Sequence, residues 1–193
     1  VYPNPFELGM PSKMIAEVFP CGKTGLLNQL IVGLDTGDSV YWNKECWVEI
    51  WTVDGSNKPL DCIWRQSRVM GTAGGAGSPY KGAPYNDMIV QNPPNLTDGT
   101  NYALVFRGGR TPQGKLYVQG YSDLDPVAKL TGSQVWYTDD NGQTWYKKGT
   151  ETNSIDYHGK DKGLRDVQFQ TFIKTPDATP YPSGNYYAYW KAY

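Results

Sequence analysis

Histidine is nearly absent from this sequence, since the chain of 193 residues contains only His158. A single histidine argues against any metal site built from several imidazoles. The sequence also contains no Gly-x-Ser-x-Gly motif, and no other recognisable nucleophile that His158 could activate. We therefore predict a surface-loop histidine, no catalytic residues and no enzyme activity. A glycoside-active enzyme that uses Glu49 and Asp61 is the catalytic alternative.

Neither sign of charge is in excess, and long hydrophobic runs are missing. Lys and Arg number 18 against 19 Asp and Glu, which gives a net charge of −1. Such a chain lacks the basic field typical of proteins that bind nucleic acids. No segment approaches the roughly 18 apolar residues of a membrane helix. We expect neither nucleic acid nor membrane insertion among its partners.

Cysteine is scarce, with 3 residues in the sequence. They allow at most one disulfide and leave one thiol over, which excludes a disulfide framework. We interpret Cys21, Cys46 and Cys62 as small core residues.

Aromatic residues, glycine and proline are abundant, with 7 Trp, 15 Tyr, 5 Phe, 22 Gly and 14 Pro. Short apolar runs bounded by Gly, Asn, Asp or Pro are typical of strands and turns. Strands are predicted at residues 14–19, 26–34, 46–53, 60–69, 86–91, 101–107, 115–121, 133–138 and 164–173. The pattern indicates an all-β domain of two packed sheets or a barrel. Residues 71–77 are predicted to form a flexible glycine-rich loop.

The clearest hairpin spans residues 46–69, with its turn centred on residues 55 and 56. This register pairs Val48 with Ile63 and Trp47 with Trp64. The face expected in the core carries Cys46, Val48, Ile50 and Ile63. The other face carries Trp47, Glu49, Trp51, Cys62 and Trp64. Cys46 and Cys62 then lie on opposite faces, which argues against a disulfide between them.

Trp47, Glu49, Trp51 and Trp64 form a predicted aromatic ledge with one carboxylate. An indole stacks on the apolar face of a pyranose, while a carboxylate accepts hydrogen bonds from its hydroxyls. The ledge is therefore a candidate glycan-binding site. Two alternatives stay open: the tryptophans belong to a second core layer, or a protein partner covers them.

Residues 138–145 read Thr-Asp-Asp-Asn-Gly-Gln-Thr-Trp. They predict a hairpin turn in which an Asp side chain caps backbone amides, Gly has a positive φ and Trp folds back onto the sheet. The segment resembles an Asp-box, with Thr138, Asp140, Gly142, Thr144 and Trp145 at the matching positions. In sialidases and other propellers the box is a folding device remote from the active site. The resemblance thus implies a hairpin and not sialidase activity.

Asp-rich loops at residues 35–38, 123–125 and 139–140 offer oxygen ligands, but none has the spacing of a dedicated calcium loop. We predict turn-forming aspartates, no metal site and no cofactor. A structural calcium is the alternative.

Further motifs occur in an order similar to that of a known class of module. They are Ile15-Ala16-x-x-Phe19, Gly25-Leu-Leu-x-x-Leu30, Val48-x-Ile50-Trp51, Pro93-Pro94-x-Leu96-x-x-Gly99-Thr100-x-Tyr102-Ala103-Leu-Val105 and Arg165-Asp166-Val-Gln-Phe169-x-Thr171-Phe172. The chain resembles the jelly-roll modules of secreted bacterial and archaeal surface proteins and of phage virion proteins. The resemblance implies an antiparallel two-sheet β-sandwich of jelly-roll type without catalytic residues.

Two extended arms flank the predicted jelly-roll domain at residues 14–174: residues 1–13 and residues 175–193. The C-terminal arm carries the aromatic residues Tyr186, Tyr187, Tyr189, Trp190 and Tyr193. Apolar surface of this kind marks an interaction site, so we expect the arm to dock on its own domain or on a neighbouring subunit.

The sequence therefore predicts a non-catalytic recognition and assembly module that is extracellular, on a cell surface or on a virion. Glycan binding at the ledge is its most concrete activity. Its expected partners are a glycan or other cell-surface ligand and protein subunits, including copies of itself. A purely structural subunit of a virion or filament is the alternative.

Overall fold

The protein consists of β-strands and turns throughout the part of the chain that the computed structural model describes. That part comprises residues 6–7, 12–35, 44–70, 85–109, 117–118, 120–122, 134–147, 164–167 and 169–175. Within these ranges there is no helix, and so none of the length and apolar character needed to cross a membrane. The all-β prediction is confirmed.

Every predicted strand is present. In chain order the strands are β1 (Phe6–Glu7), β2 (Met14–Pro20), β3 (Gly25–Asp35), β4 (Lys44–Val53), β5 (Pro59–Met70), β6 (Tyr85–Ile89), β7 (Asn95–Leu96), β8 (Asn101–Gly108), β9 (Tyr117–Val118), β10 (Gly120–Ser122), β11 (Gln134–Thr138), β12 (Tyr146–Lys147), β13 (Leu164–Val167) and β14 (Phe169–Lys174). Two predicted segments are each divided into two strands, β9 with β10 and β13 with β14. The sequence does not predict the short strands β1, β7 and β12.

Two six-stranded antiparallel sheets make up most of the described structure. The first has the order β1-β9-β3-β14, with β6 and β7 also paired to β3. The second has the order β12-β11-β2-β8-β4-β5, and β10 pairs separately with β13. This is the arrangement expected for a β-sandwich. The jelly-roll connectivity stays a prediction.

The main core lies between the two sheets. The first sheet contributes Leu27, Leu30, Val32 and Met88 to it. The second sheet contributes Ile15, Phe19, Cys46, Val48, Ile50, Trp64, Tyr102, Leu104, Phe106 and Val135. Full burial of one Val, Leu, Ile or Phe contributes about 1.5–3 kcal/mol. Contact between the sheets therefore stabilises the fold.

The outer face of the second sheet carries another apolar cluster, called here the outer cluster. Its buried members are Met14, Ala16, Val18, Trp51, Ala103, Val105, Trp136 and Trp145. Because side chains alternate along a strand, β2 and β8 bury one set of residues in the main core and the other set here. The second sheet is therefore buried on both sides along its central strands.

The β4–β5 hairpin has the predicted turn at residues 55 and 56 but not the predicted register. Trp47 pairs with Ser67 and not with Trp64, while Val48 pairs with Gln66. The predicted pairing of Val48 with Ile63 is therefore also wrong.

Two register shifts in the hairpin, each with an extra residue on β5, contribute to this difference. Ile50 pairs with Trp64 and Trp51 pairs with Cys62, so Ile63 is an extra residue on β5. The extra residue moves Trp64 to the core face and leaves Cys62 on the opposite face. Trp64 is consequently 7% exposed, whereas Ile63, which was expected in the core, is 43% exposed.

The three cysteines are free thiols. Cys46 lies in the main core and Cys62 packs against the outer cluster, so the prediction of opposite faces is confirmed. Cys21 also lies in the main core. Burial raises the pKa of the Cys46 thiol to about 12. Cys46 therefore behaves as a small apolar core residue.

Several predicted features lie outside the described residues. They are the loop at residues 71–77, the Asp-rich residues 123–125 and most of 35–38, His158, most of the N-terminal arm, and the aromatic residues Tyr186, Tyr187, Tyr189, Trp190 and Tyr193. Within the N-terminal arm, β1 pairs with β9.

Candidate functional site

An open cleft of about 460 Å³ lies on the outer face of the second sheet. Its lining residues are Ser12, Trp47, Glu49, Arg65, Arg107, Gly108, Gly109 and Asn141. They come from the neighbouring strands β4, β5 and β8 and from turns next to β2 and β11. This feature is called the Arg cleft below.

Strand β4 supplies two of the lining residues by alternation of its side chains. Its core-facing residues are Cys46, Val48 and Ile50. The residues between them, Trp47 and Glu49, therefore lie on the outer face and line the Arg cleft. Trp51 lies on the same face but is buried in the outer cluster.

Glu49 is a buried carboxylate, with 1% of its surface exposed. Its Oε2 accepts a hydrogen bond of 2.6 Å from the indole Nε1 of Trp51. Its Oε1 lies 3.2 Å from Nε of Arg107 and 4.0 Å from Nε of Arg65. Among the described residues no group donates a hydrogen bond to Oε1, so both arginine contacts are ionic. The two cations offset the cost of burying this charge.

Both guanidinium groups reach Glu49 from adjacent strands. Arg65 lies opposite Glu49 on β5, and Arg107 lies opposite Trp47 on β8. The Arg65 side chain is 55% exposed and the Arg107 side chain is 19% exposed. The sulfur of Cys62, and then the charge of Glu49, raise the pKa of Arg65. Arg65 is therefore a permanent cation that extends toward solvent.

The turn at residues 138–145 places Asn141 in the lining of the Arg cleft. The Thr138 hydroxyl donates a hydrogen bond of 2.6 Å to Asp140 Oδ1 and accepts one from the Gly142 N–H at 3.2 Å. Asp140 Oδ1 also accepts a hydrogen bond of 2.9 Å from the Thr144 N–H. Asn141 and Gly142 have positive φ values of 64° and 85°. The predicted turn geometry is thus present, while its relation to the Asp-box stays a prediction.

Two contacts connect this turn to the charged centre of the cleft. Asn141 Oδ1 accepts a hydrogen bond of 2.8 Å from Arg107 Nη1, and the Asn141 N–H donates one of 3.0 Å to the Ser12 carbonyl. Trp145 packs edge to face on Trp51, with ring centroids 5.9 Å apart. The turn therefore supports both Arg107 and the indole that binds Glu49.

The four residues of the predicted aromatic ledge do not all lie on one surface. Trp47 and Glu49 line the Arg cleft. Trp51 is buried in the outer cluster, as expected if it belongs to a second core layer. Trp64 faces the main core, where its Nε1 donates a hydrogen bond of 2.8 Å to the carbonyl of Gln91. The expected place of Trp64 on the ledge is wrong because of the bulge in β5.

Four side chains of the Arg cleft are not predicted from the sequence: Ser12, Arg65, Arg107 and Asn141. One of them has a sequence signal, because opposite charges facing each other across two strands favour the register that pairs Glu49 with Arg65. Arg107 and Asn141 approach the site only through long-range strand pairing, for which short sequence patterns contain no signal.

The two carboxylates of the glycoside-active alternative do not both line the Arg cleft. Arg65, not Asp61, lies opposite Glu49. Asp61 lies beside Thr52 instead, and its N–H donates a hydrogen bond of 3.2 Å to the Thr52 hydroxyl. Hydrolysis by an acid and base pair needs both carboxyl groups on one cleft, and Asp61 does not line this one.

Of the Asp-rich loops considered for calcium, residues 139–140 fall within the described ranges. There, Asp140 is bound to Thr138 and Thr144 in the turn. Over the described ranges, no group of three or more His, Cys, Asp or Glu is placed to hold a metal ion.

No protein-family model and no curated protein matches this chain. The chemistry of the Arg cleft is therefore inferred from its lining residues. They supply an indole, two guanidinium groups, a buried carboxylate and an amide.

Proposed function

We propose that the protein is a non-catalytic recognition module, acting outside the cell or on a virion surface, that binds a saccharide in the Arg cleft. One observation carries this proposal: the indole of Trp47 and the guanidinium groups of Arg65 and Arg107 meet in one open cleft. Its volume of about 460 Å³ is within the range of small-ligand sites.

These residues supply the two kinds of contact that a sugar ring needs. Trp47 offers an apolar surface for the C–H face of a pyranose. Arg65 and Arg107 offer N–H donors to its oxygen atoms. Because these side chains project from paired strands, the site is largely organised before the ligand arrives, which lowers the entropic cost of binding.

Glu49 has a positioning role in this proposal. Its Oε2 is bound to Trp51 and its Oε1 faces Arg107, so the carboxylate holds the arginines in place. The sequence suggests a carboxylate that accepts hydrogen bonds from sugar hydroxyls, but in the structure Glu49 is covered by its own partners. The polar groups available to a ligand are thus mainly donors.

Replacement of the cleft indole tests the proposal. Trp47→Ala should weaken binding to any glycan captured on an array by about 30-fold or more, because the stacking surface is lost. Tyr146→Ala is the matched control, since Tyr146 is an exposed aromatic residue that stacks on Tyr137 and does not line the cleft. Equal binding by both variants and the unaltered protein, or no captured glycan, contradicts the proposal.

Assembly through the C-terminal arm is a second candidate function. It is supported by the sequence, which concentrates Tyr186, Tyr187, Tyr189, Trp190 and Tyr193 in that arm. An arm of this kind would join copies of the chain, or join it to other subunits of a virion or filament.

A further inference from the structure

We propose that the saccharide bound in the Arg cleft is acidic and carries a carboxylate or a sulfate ester. This inference rests on the proposed function and specifies its ligand class. It follows from the charges that line the cleft, from the burial of the one carboxylate among them, and from the exposure of Arg65.

The lining of the Arg cleft is locally cationic. Among the described residues that line it, the guanidinium groups of Arg65 and Arg107 and the carboxylate of Glu49 leave one positive charge in excess. The whole chain has a net charge of −1, so general attraction of polyanions does not account for a preference at this site. A neutral ligand would leave the excess charge unpaired, whereas one acidic group would balance it.

The carboxylate and the guanidinium groups are not equally accessible. Glu49 is 1% exposed, and both of its oxygen atoms face protein groups. The Arg65 side chain is 55% exposed, and its Nε is 4.0 Å from the nearest Glu49 oxygen, which is too long for a hydrogen bond. A ligand therefore meets cationic donors before it meets the anion.

Arg65 has the donor geometry that an acidic group requires. Its planar guanidinium carries five N–H donors and matches carboxylate or sulfate oxygen atoms in pairs. The Arg65 side chain contacts the Cys62 sulfur and is 55% exposed. Arg65 and Trp47 line the same cleft, so one ring can stack on the indole while its acidic substituent pairs with Arg65.

The experiment compares glycans that differ only in charge. An array presents each backbone in neutral, carboxylated and sulfated forms, and the strongest set is then titrated by calorimetry. An acidic form should bind about tenfold or more tightly than its neutral counterpart, as expected for a charge-assisted hydrogen bond. Whether the carboxylated or the sulfated form binds more tightly identifies the acidic group.

Two variants assign this preference to the cleft. Arg65→Gln should reduce the preference to about threefold or less, because the neutral amide lacks the charge that strengthens the bond. Lys23→Gln removes one positive charge from an exposed residue outside the cleft and should leave the preference unchanged. The melting temperature of each variant shows whether it is folded.

The possible results separate this inference from the proposed function. Equal affinity for neutral and acidic forms overturns the acidic ligand but leaves saccharide binding in place. An acidic preference that Arg65→Gln retains overturns the assignment to the Arg cleft. Failure of the folded, unaltered protein to bind any form overturns both.

Discussion

At the scale of single residues, the buried carboxylate of Glu49 forms ion pairs with both arginines that line the Arg cleft. Arg107 lies 3.2 Å from the buried carboxylate, and Trp51 binds its other oxygen. Removing one partner of a buried ion pair generally costs about 3–5 kcal/mol, because it leaves the other charge uncompensated. Arg107 and Glu49 are therefore held together within the fold, whereas Arg65 is more exposed to solvent.

Asp140 gives the 138–145 turn a pH-dependent stability. The Thr138 hydroxyl, and next the Thr144 N–H, lower the pKa of Asp140 from 3.8 to about 2. Between these values the unfolded chain binds a proton that the folded chain does not, so the free energy of unfolding rises with pH. This contribution should be complete above about pH 4 and lost as the pH falls through the folded pKa of about 2.

Urea unfolding at a series of pH values from 5 to 2 measures this effect. Asp140→Asn should unfold at lower urea than the unaltered protein at pH 5, and the difference between them should shrink toward pH 2. Asp139→Asn removes an equal charge from the exposed neighbouring residue and serves as the control. A constant difference between Asp140→Asn and the unaltered protein would contradict the assignment.

At the scale of strands, a β-bulge in each main sheet determines which residues of the bulged strand face the main core. In β3 the residue Asn28 is extra, because Gln29 pairs with Phe172 and Leu27 pairs with Ile173. Leu27 and Leu30 are three residues apart, so strict alternation would place them on opposite faces. Because of the bulge, both lie in the main core. The bulge at Ile63 likewise places Trp64 in the main core. Local insertions of one residue thus decide which large side chains fill the sandwich.

The start of β3 packs closely against the end of β14, which allows a sharp test of this pairing. A Cβ on Gly25 would lie 2.4 Å from the backbone oxygen of Lys174, whereas a Cβ on Gly22 would meet nothing within 4 Å. Gly25→Ala should destabilise the protein by about 1–3 kcal/mol, because backbone must move apart. Gly22→Ala should differ from the unaltered protein by about 0.5 kcal/mol or less.

Urea unfolding gives both values, and amide hydrogen exchange locates the effect. Protection should fall in β14 for Gly25→Ala and stay unchanged for Gly22→Ala. Similar stability of the two variants would mean that the close approach of Gly25 to Lys174 is absent in solution.

The sequence predicts the strands well because alternation and turn residues are local signals. It also predicts that Val48 and Ile50 face the core. The sequence prediction fails at Trp64 because a bulge has no clear signature within one strand. It reverses the face predicted for every side chain beyond the bulge. The prediction fails at Arg107 and Asn141 because their meeting depends on the order of β4, β8, β2 and β11 in the second sheet. The part of the site within β4 is therefore predictable, and the part between strands is not.

At the scale of the whole molecule, the second sheet has apolar clusters on both of its faces. A sheet buried on both sides positions the Arg cleft rigidly, since β4 and β8 bury residues in the main core and in the outer cluster. The proposed recognition site and the aromatic residues of the C-terminal arm are different parts of the sequence, so the two proposals are tested with separate variants.

The assembly proposal predicts that the oligomeric state depends on the C-terminal arm. A chain shortened to end at Lys174, the last residue of β14, should sediment as a monomer, whereas the full chain should sediment as an oligomer. The reason is that the aromatic side chains of residues 186–193 would bury apolar surface against a neighbouring copy. Unchanged β-sheet circular dichroism shows that the shortened chain remains folded. An equal mass for both chains contradicts assembly through the arm, and a lower melting temperature with that equal mass assigns the arm to its own domain.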